Sequence, residues 1–411
     1  MNILHVVHSY YPSIGGTETS TRELSIELAK RRNRVWVFTT DTESPGGFFT
    51  GGQCLGNASF IDSGVNVFRF HVNTVPFARS LKKLNSITYV GIREKSIFKL
   101  DSHDHIAAFL STPLVPKLFF ALSKSNDLDI VNSTPYPYGY HLFLNEICQK
   151  KKIPFVITPR THTLDKSFER QYLIRIAKKA NALIVFTEYE RDYFVAKGVD
   201  QGKIFVTGIG VHQEKFRTSD TRSRKLDHGF PEESKVVLFI GRMMQSKGIS
   251  IALESMKKVW KKTLKAYLVI LGRKTSYTPI IEDMARTEKR IILIPNASEK
   301  QKIEALSYSD VLVNPSEYES FGRVFLEGWS SGKPVVGART PVTESIISEG
   351  DDGLLFSAPN SDELADKISF LLKHEEIAKA MGNKGREKVL KNYTWERIVG
   401  KTSAVYNQLL Q

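Results

Sequence analysis

The sequence has few of the features that mark secreted, membrane-spanning or disulfide-stabilised proteins. It contains two cysteines, Cys54 and Cys148, in 411 residues. No apolar run reaches the roughly 18 residues that span a bilayer. Residues 1–7 have no basic stretch and no small-residue cleavage site, so they are expected to form a strand rather than a signal peptide. We therefore expect two free thiols in a reducing cytosol.

Heptad repeats, low-complexity tracts and histidine clusters at metal-ligand spacing are also absent from the sequence. His103 and His105 lie in a polar stretch, where solvated side chains are expected. Asp127 and Asp129 superficially match a metal-binding D-x-D motif. They precede an apolar strand, however, where aspartate is a common entry residue. No metal site is predicted.

Length and composition indicate a globular protein with two domains. Hydrophobic residues make up 41% of the chain and charged residues 25%. A chain of 411 residues is too long for one ordinary core. It fits two domains of roughly 150–200 residues each.

The chain carries a formal charge of +14, and the excess is concentrated in the first half. The first cluster contains Arg79, Lys82, Lys83, Arg93, Lys95 and Lys99. The second contains Lys150, Lys151, Lys152, Arg160, Lys166, Arg170, Arg175, Lys178 and Lys179. The clusters fit either solvated helix faces or docking on an anionic membrane leaflet, where each basic residue adds about 1 kcal/mol. A nucleic-acid-binding protein is a further alternative, but no recognised nucleic-acid motif is present.

Short apolar segments alternate with helical patterns in the first half of the chain. The predicted strands are 3–7, 35–39, 65–70, 129–131, 155–158, 183–186 and 204–206. A helix is predicted over 19–31. This alternation predicts a parallel α/β sheet with helices on both faces. Segments 41–64 and 72–101 break the pattern and are interpreted as insertions.

A second α/β series follows a polar candidate linker at 208–234. Its predicted strands are 236–240, 266–271, 291–294, 311–313 and 335–337, and its predicted helices are 249–261, 278–285, 299–307, 324–330 and 361–372. A final helix is predicted over 394–410, with Thr394 as its cap. A cleft between two such domains is the expected ligand site.

Gly15 and Gly16 follow the first predicted strand and open the first helix. Adjacent glycines let backbone N–H groups approach a phosphate or a sugar without a Cβ in the way. The G-x-G-x-x-G spacing of dinucleotide-binding proteins is absent. The alternative is an ordinary turn with Thr17 as the helix N-cap.

Residues 240–248 form a second loop between a predicted strand and a predicted helix. Arg242 offers a planar fork for bidentate phosphate contact, and Lys247 offers a point charge on the same loop. Together they could neutralise a diphosphate leaving group. The alternative is two solvent-exposed cations near a turn.

Glu319 and Glu327 stand eight residues apart, one in a loop after a strand and one inside the next helix. Ligands bind at the carboxyl ends of parallel strands, where helix N-termini attract anions. The spacing could hold two hydroxyl-bearing parts of one ligand around a phosphate. A paired-carboxylate glycosidase is the rival, but a basic loop nearby favours hydroxyl binding. An unremarkable helix-surface pair is the third alternative.

These three loops, in this order, resemble glycosyltransferase family 4, whose members are retaining nucleotide-sugar transferases of the GT-B fold. The resemblance runs from Asn2 to the C-terminal helix and is strongest over 233–356. The motifs that carry it are Gly241-Arg242 with Lys247-Gly248, residues 310–316, Glu319 with Glu327, residues 332–336, and Glu344 with residues 353–356.

The resemblance implies an α/β chain of GT-B architecture, with two Rossmann-like parallel-sheet domains facing across a cleft. An acceptor-side domain would span 1–207, and 208–234 would be the linker. A nucleotide-sugar donor domain would span 235–392. A C-terminal helix, 393–411, would pack back on the N-terminal domain.

The resemblance also implies catalytic roles for Arg242, Lys247 and Glu319. Arg242 and Lys247 would stabilise the donor diphosphate. Glu319 would hold the sugar hydroxyls, and Glu327 the ribose hydroxyls. The remaining implied donor-binding residues are Gly15, Gly16, Gly241, Ser320, Phe321 and Gly322. No metal or cofactor would be needed, because the basic loop and a helix dipole supply the electrostatics.

Three positions depart from the family pattern. Arg160 stands where the family often has a histidine, and His162 follows two residues later. We expect these two residues to contact the donor sugar or the acceptor. Residues 207–212 replace a Pro-Asn-Gly-Val-Asp motif and are consistent with a hinge. Residues 340–343 replace a glycine-rich turn.

The function implied by the resemblance is retaining transfer of a hexose-type sugar from a nucleotide-diphosphate sugar to a hydroxyl. The acceptor would be a sugar, a glycan or a lipid-linked molecule, in polysaccharide, glycolipid or glycoconjugate synthesis. A different GT-B enzyme, such as a sugar-phosphate transferase or a nucleotide-sugar epimerase, and an inactive scaffold are the alternatives. A cytoplasmic protein is expected, with an anionic inner membrane face as a candidate partner and no nucleic acid.

Overall fold

The computed structural model of the chain describes residues 1–13, 15–43, 54–56, 58–73, 104–108, 111, 113, 115–162, 166–216 and 221–411. The first basic cluster and His103 lie outside these residues. The described chain forms two compact units. Unit 1 comprises Met1–Thr207 with Ile398–Gln411, and unit 2 comprises Gly208–Arg397.

Unit 1 is built on an eight-stranded sheet. Its strands are β1 (Asn2–Val7), β2 (Arg34–Thr40), β3 (Ser59–Asp62), β4 (Val65–Phe70), β5 (Ile130–Thr134), β6 (Phe155–Ile157), β7 (Ala182–Val185) and β8 (Ile204–Val206). Their order is β3-β4-β2-β1-β5-β6-β7-β8. All neighbours are parallel except β3 and β4. The central strands are almost wholly buried, as helix-covered parallel strands must be. The predicted parallel sheet is confirmed.

The interpretation of 41–64 as an insertion is wrong for its last part. β3 is an edge strand antiparallel to β4, and Ser63 and Gly64 form the turn between them with positive φ angles of 50° and 90°. Only Asp62 of the four β3 residues is buried, while Ile61 is exposed. A strand with so little buried apolar surface leaves almost no period-2 signal in the sequence.

The described part of unit 1 before residue 207 contains five α-helices with complete bounds, which flank the sheet. They are α1 (Gly16–Lys30), α2 (Pro116–Lys124), α3 (Tyr140–Lys151), α4 (Gln171–Lys179) and α5 (Glu188–Ala196). α1 begins three residues earlier than predicted, with Gly15 as its N-cap and the Gly15 carbonyl accepting from the Thr19 N–H. Thr17 therefore lies inside the helix, and the alternative of Thr17 as the N-cap is wrong.

Unit 2 is built on a six-stranded sheet that is parallel throughout. Its strands are β9 (Lys235–Ile240), β10 (Ala266–Gly272), β11 (Ile291–Pro295), β12 (Val311–Asn314), β13 (Val335–Ala338) and β14 (Gly353–Phe356). Their order is β11-β10-β9-β12-β13-β14. The sheet is parallel, as predicted, and the sequence prediction omitted only β14.

The chain from residue 208 onward contains nine helices in its described part. They are α6 (Thr221–Asp227), α7 (Ile249–Lys262), α8 (Thr278–Thr287), α9 (Glu299–Tyr308), α10 (Arg323–Ser330), α11 (Pro341–Glu344), α12 (Ser361–Lys373), α13 (Glu375–Asn392) and α14 (Trp395–Leu409). The candidate linker thus contains α6 and a 3-10 turn, Gln213–Phe216. No helix in the described part of the chain is long and apolar enough to cross a membrane.

The end of α14 belongs to unit 1 and is anchored there by hydrogen bonds. The buried Tyr406 hydroxyl accepts from Asn132 Nδ2 at 2.7 Å and lies 3.3 Å from His5 Nε2. The predicted cap is present, because Thr394 Oγ1 accepts from the Arg397 N–H at 3.3 Å. Neither cysteine is in a disulfide in the described part of the chain; Cys148 is buried and Cys54 is exposed.

Candidate active site

The basic loop of unit 2 runs from the end of β9 to the start of α7. It closes with a 3-10 turn, Gln245–Lys247, and with Gly248 at φ 73°. A Cβ on Gly248 would lie 2.3 Å from the Pro315 carbonyl oxygen. Because β9 and β12 are parallel neighbours, the loops that follow them share one sheet edge. The glycine allows these two loops to pack in direct contact.

Lys247 joins the basic loop to the carboxylate loop after β12. Its Nζ lies 2.7 Å from Glu319 Oε1 and donates to the Tyr318 carbonyl at 3.1 Å. Asn314 Nδ2 also donates to Glu319 Oε1, at 3.4 Å. Both side chains of the ion pair are mostly but not wholly buried. The structure thus brings together two residues that sequence reasoning assigned to one ligand.

Arg242 lies on the same loop and is exposed. Within the described part of the chain, its guanidinium has neither an ion pair nor a side-chain hydrogen bond. Its backbone carbonyl accepts from the Met244 N–H at 2.8 Å, which holds the loop's curvature. The guanidinium fork is therefore available to an anionic ligand.

Glu327 lies in α10 and is almost fully buried. Its Oε1 is 2.7 Å from Lys302 Nζ and 3.4 Å from Arg323 Nε. Lys302 is also 2.9 Å from Glu299 Oε2. Burial opposes the charge on Lys302, but Glu327 and Glu299 outweigh it and raise the Lys302 pKa. Sequence reasoning missed Lys302 and Arg323; the only signal was the i,i+4 spacing of Arg323 and Glu327.

The segment Ser320, Phe321 and Gly322 leads into the N-terminus of α10. Gly322 is the N-cap at φ 85°, and a Cβ there would lie 2.6 Å from the Phe325 ring. The Phe321 side chain is buried against Tyr393, with ring centroids 5.6 Å apart. The Phe321 ring therefore packs inward, and its backbone is the part suited to an anionic ligand. The first N–H groups of a helix have no partner inside the helix and point toward such a ligand.

In unit 1, Gly15 and Gly16 lie between the end of β1 and the first turn of α1. A Cβ on Gly15 would lie 2.2 Å from Glu18 Oε2, so the glycine leaves room for that carboxylate. Glu18 Oε1 is 3.2 Å from His8 Nε2, and both side chains are buried. Burial alone would raise the Glu18 pKa, but the hydrogen bond and charge of His8 outweigh it and lower the pKa.

Arg160 is buried and packs against the start of α1. Its Nε donates to Thr134 Oγ1 at 2.9 Å, and its Nη atoms donate to Ser20 Oγ and to Thr21 Oγ1. Its guanidinium lies 4.9 Å from the centre of the Phe186 ring. This environment suits a residue that positions the α1 start better than one that projects into solvent.

His162 and Glu190 complete the surroundings of Arg160. His162 is partly buried, with its ring 5.7 Å from the Phe168 ring. The Glu190 carboxylate accepts from the Thr161 N–H at 2.7 Å and from the Phe186 N–H at 2.9 Å. Burial raises the Glu190 pKa despite these hydrogen bonds. Sequence reasoning missed Glu190, because nothing in its local pattern distinguishes it from a solvated helix residue.

Asp129 of the D-x-D motif and His105 both have partners in the structure. Asp129 Oδ2 accepts from the Asn2 N–H at 2.7 Å, which ties β5 to β1 as a strand-entry residue would. His105 is not simply solvated, because its Nε2 lies 2.9 Å from Glu146 Oε1.

Solved structures that superpose on this chain show the fold. HepE of Anabaena, solved in complex with UDP and glucose, superposes with a TM-score of 0.73 at 16% identity, over 99% of each chain. A sucrose-phosphate synthase of Thermosynechococcus elongatus also has a TM-score of 0.73, at 17% identity over 100% of this chain and 99% of that chain. The fold is GT-B, the architecture of a large class of glycosyltransferases.

Sequence comparisons then define the family. The profile described as "Glycosyltransferase Family 4" matches residues 14–215, and "Glycosyl transferases group 1" matches residues 220–388. Sulfoquinovosyl transferase SQD2 of Arabidopsis thaliana is 30% identical over 97% of this chain and 71% of that protein. N-acetyl-alpha-D-glucosaminyl L-malate synthase of Bacillus anthracis is 23% identical over 98% of this chain and 96% of that protein. The chain belongs to glycosyltransferase family 4.

Proposed function

We propose that this glycosyltransferase moves a hexose-type sugar from a nucleotide-diphosphate sugar to an acceptor hydroxyl, with retention of anomeric configuration. The ion pair between Lys247 and Glu319 carries the proposal, because it places a cation and a carboxylate at the same sheet edge. A diphosphate needs the first group, and sugar hydroxyls need the second. HepE, solved in complex with UDP and glucose, lends the donor class further support.

The diphosphate leaves under the positive charge of Arg242 and Lys247. Arg242 is exposed on the loop, and Lys247 is already held in place by Glu319 and the Tyr318 carbonyl. Fixed charges that stabilise the developing phosphate charge lower the barrier without reorganising during the reaction. This electrostatic role requires no metal and no cofactor, which we include in the proposal.

The two carboxylates hold hydroxyl groups at either side of the diphosphate. Glu319 accepts from the donor sugar and Glu327 from the ribose, while the backbone of Ser320, Phe321 and Gly322 meets the β-phosphate. A charged carboxylate acceptor makes a hydroxyl hydrogen bond stronger than a neutral one. The acceptor hydroxyl then attacks the anomeric carbon from the face that the phosphate leaves. The departing phosphate oxygen accepts the hydroxyl proton. Attack and departure on the same face of the anomeric carbon give retention.

A thermal-shift panel of nucleoside diphosphates and nucleotide sugars tests the donor assignment. We expect the nucleotides of one base to raise the melting temperature of the protein. The nucleoside diphosphate of that base should raise it more than the nucleoside monophosphate. Arg242→Ala should lose the difference between diphosphate and monophosphate, and Lys257→Ala, an exposed cation on α7, should keep it. Equal shifts by both forms in the wild type would contradict the diphosphate grip. NMR of the product's anomeric proton tests retention.

We further propose a cytoplasmic enzyme that docks peripherally on an anionic membrane face, which suits a lipid-linked or other glycan acceptor in polysaccharide, glycolipid or glycoconjugate synthesis. Lys150, Lys178 and Lys179 of the second basic cluster are exposed, whereas Arg175 is paired with Asp104. Phe120 on α2 is also exposed, beneath Lys124. A cation over an exposed aromatic ring, as Lys124 is over Phe120, fits a headgroup region, and the exposed lysines add attraction to anionic headgroups.

Co-sedimentation with anionic and neutral vesicles tests the docking. The variant Lys178→Glu with Lys179→Glu should bind anionic vesicles at least about tenfold more weakly, given about 1 kcal/mol per basic residue. Lys257→Glu with Lys261→Glu, two exposed cations of α7, is the matched control and should change binding little. Equal wild-type binding to anionic and neutral vesicles would contradict membrane docking through charge.

A further inference from the structure

Asp41 and His71 are brought together by the register of two neighbouring strands. Asp41 follows β2 directly and His71 follows β4, and the last paired residues of these parallel strands are Thr40 and Phe70. Residues one position beyond a paired end lie side by side at the same sheet edge. Asp41 Oδ2 is 2.7 Å from His71 Nδ1.

Cys54 reaches the same place through backbone hydrogen bonds. An isolated antiparallel bridge joins Thr42 and Cys54, and the Leu55 N–H donates to the Asp41 carbonyl at 2.6 Å. One ligand atom from each of Asp41, Cys54 and His71 lies within 4.8 Å of the other two. Ligand atoms around a tetrahedral Zn²⁺ stand roughly 3–4 Å apart. Side-chain rotation alone can therefore bring the three atoms onto one ion.

We propose that Asp41, Cys54 and His71 form a Zn²⁺-binding site in unit 1. Thiolate, imidazole and carboxylate together suit Zn²⁺, whereas Mg²⁺ and Ca²⁺ take oxygen ligands. One thiolate and one carboxylate also balance the charge of the ion. Asp41 Oδ1 accepts from the Val72 N–H at 3.2 Å, which orients the carboxylate with Oδ2 toward His71. Such outer hydrogen bonds tune metal sites.

Metal binding exchanges bonds without any redox change. An ordinary thiol carries its proton at neutral pH, so Cys54 releases that proton to solvent when the Zn–S bond forms. The Asp41 carboxylate can only accept, so His71 Nδ1 carries the proton of their hydrogen bond. When the ion binds, His71 shifts this proton to Nε2 by exchange with solvent, and Asp41 and His71 each form one bond to the ion. A fourth position remains for water. The ion would link the ends of β2 and β4 to the segment that contains Cys54. The site shares no residue with the loops of unit 2.

The two cysteines provide a direct test, because Cys54 is exposed and Cys148 is fully buried. The thiol reagent DTNB should label one thiol quickly in the folded protein, and Cys54→Ser should abolish this fast phase. One equivalent of Zn²⁺ should slow the fast phase about tenfold or more, because a metal-bound thiolate is a poor nucleophile. Asp41→Asn and His71→Ala should keep the fast thiol but lose the protection. His374→Ala, an exposed histidine, is the control and should retain it.

Co²⁺ gives a second readout that is independent of enzyme activity. The wild type should show a thiolate-to-cobalt absorption band in the near ultraviolet, and Cys54→Ser should lack it. Three results would overturn the proposal. The first is a fast thiol whose reaction rate Zn²⁺ leaves unchanged, and the second is the absence of any fast thiol. The third is full protection in Asp41→Asn and His71→Ala, which would mean that zinc binds the Cys54 thiol alone.

Discussion

Lys247 Nζ lies 2.7 Å from Glu319 Oε1, although 72 positions separate the two residues in the chain. The pair fixes the lysine ammonium on the loop that Arg242 shares. A lysine side chain loses up to about 2 kcal/mol of rotamer entropy when it is ordered. Because Glu319 orders Lys247 before the donor binds, this entropy loss does not add to the activation free energy of the transfer.

Glu319→Gln should therefore reduce turnover through two effects, a weaker contact to the sugar hydroxyls and a less ordered Lys247. We expect kcat to fall by about 100-fold, the size typical of losing one preorganised electrostatic contact. The matched control is Glu317→Gln, an exposed carboxylate on the same loop, which should retain turnover within about twofold. Steady-state kinetics with the donor found by thermal shift measure both. Equal losses in the two variants would show that general loop charge, rather than the Lys247 contact, matters.

Glu327→Gln should destabilise the protein as well as weaken nucleotide binding. The change removes the carboxylate that accompanies the buried Lys302 ammonium and leaves Glu299 as its remaining acidic partner. Glu327 also pairs with Arg323, so Glu299 alone is left beside two cations and one of the two mostly buried charges is uncompensated. The free energy of unfolding should therefore fall by about 3 kcal/mol. The control is Glu254→Gln, which removes the carboxylate of an exposed ion pair with Lys257. It should change the free energy of unfolding by less than about 0.5 kcal/mol. Urea denaturation of both variants makes the comparison.

Acid should destabilise unit 1 through two buried histidines. Burial, aided by the Arg160 charge, lowers the pKa of His5 to about 4, and burial lowers that of His141 to about 4. The unfolded chain binds a proton at each near its ordinary pKa of about 6.5. Below that pH the unfolded state gains protons that the folded state cannot. Stability is therefore full above pH 6.5 and falls until the folded pKa, by about 3 kcal/mol per histidine.

Denaturation of wild type and His5→Gln at pH 7 and pH 5 measures this dependence. The variant should show about half of the wild-type loss that the two histidines cause between these pH values, because His141 still contributes. His374→Gln changes an exposed histidine and should keep the full wild-type dependence. An unchanged pH dependence in His5→Gln would contradict a neutral, buried His5.

Gly385→Ala should loosen α13 from α10. A Cβ at this position would lie 1.9 Å from Trp329 Cδ1, and Trp329 is fully buried. Overpacking of this kind costs about 1–3 kcal/mol. Gly400→Ala in α14 is the control, because a Cβ there has nothing within 4 Å. It should stabilise the helix by up to about 1 kcal/mol. In thermal unfolding, the melting temperature should therefore fall in Gly385→Ala and rise in Gly400→Ala.

Gly385, together with Gly382, also explains why one helix could not be predicted from the sequence. Except for β14, which was omitted, the buried parallel strands were predicted to within one or a few residues, because they are short apolar runs between turn residues. Helix α13 was missed. Its sequence is strongly polar, and Gly382 and Gly385 lower its helical propensity. They are there because Gly332 and Trp329 approach too closely for a side chain, which is a tertiary fact.

Part of the candidate active site could likewise be predicted from the sequence, and part of it could not. The approach of the 241–248 loop to the loop after β12 follows from strand alternation, because neighbouring parallel strands end at one sheet edge. The partners of Glu327 do not follow from it. Lys302 comes from α9 and Glu327 from α10, and their contact depends on the tertiary placement of the two helices, which no local pattern encodes. The group of Asp41, Cys54 and His71 could not be predicted either, because strand register brings these residues together and no short sequence motif marks them.

The most direct test of the account compares turnover with donor affinity in Arg242→Ala and Lys247→Ala. Both cations act on charge that develops as the diphosphate leaves, so kcat should fall by about 100- to 1,000-fold in each. The dissociation constant of the intact donor sugar, measured by calorimetry, should change far less than kcat. In the intact donor the terminal phosphate is esterified and carries less charge than in the free diphosphate used for the thermal-shift test. Near-normal turnover in both variants would contradict the assignment of the diphosphate to this loop.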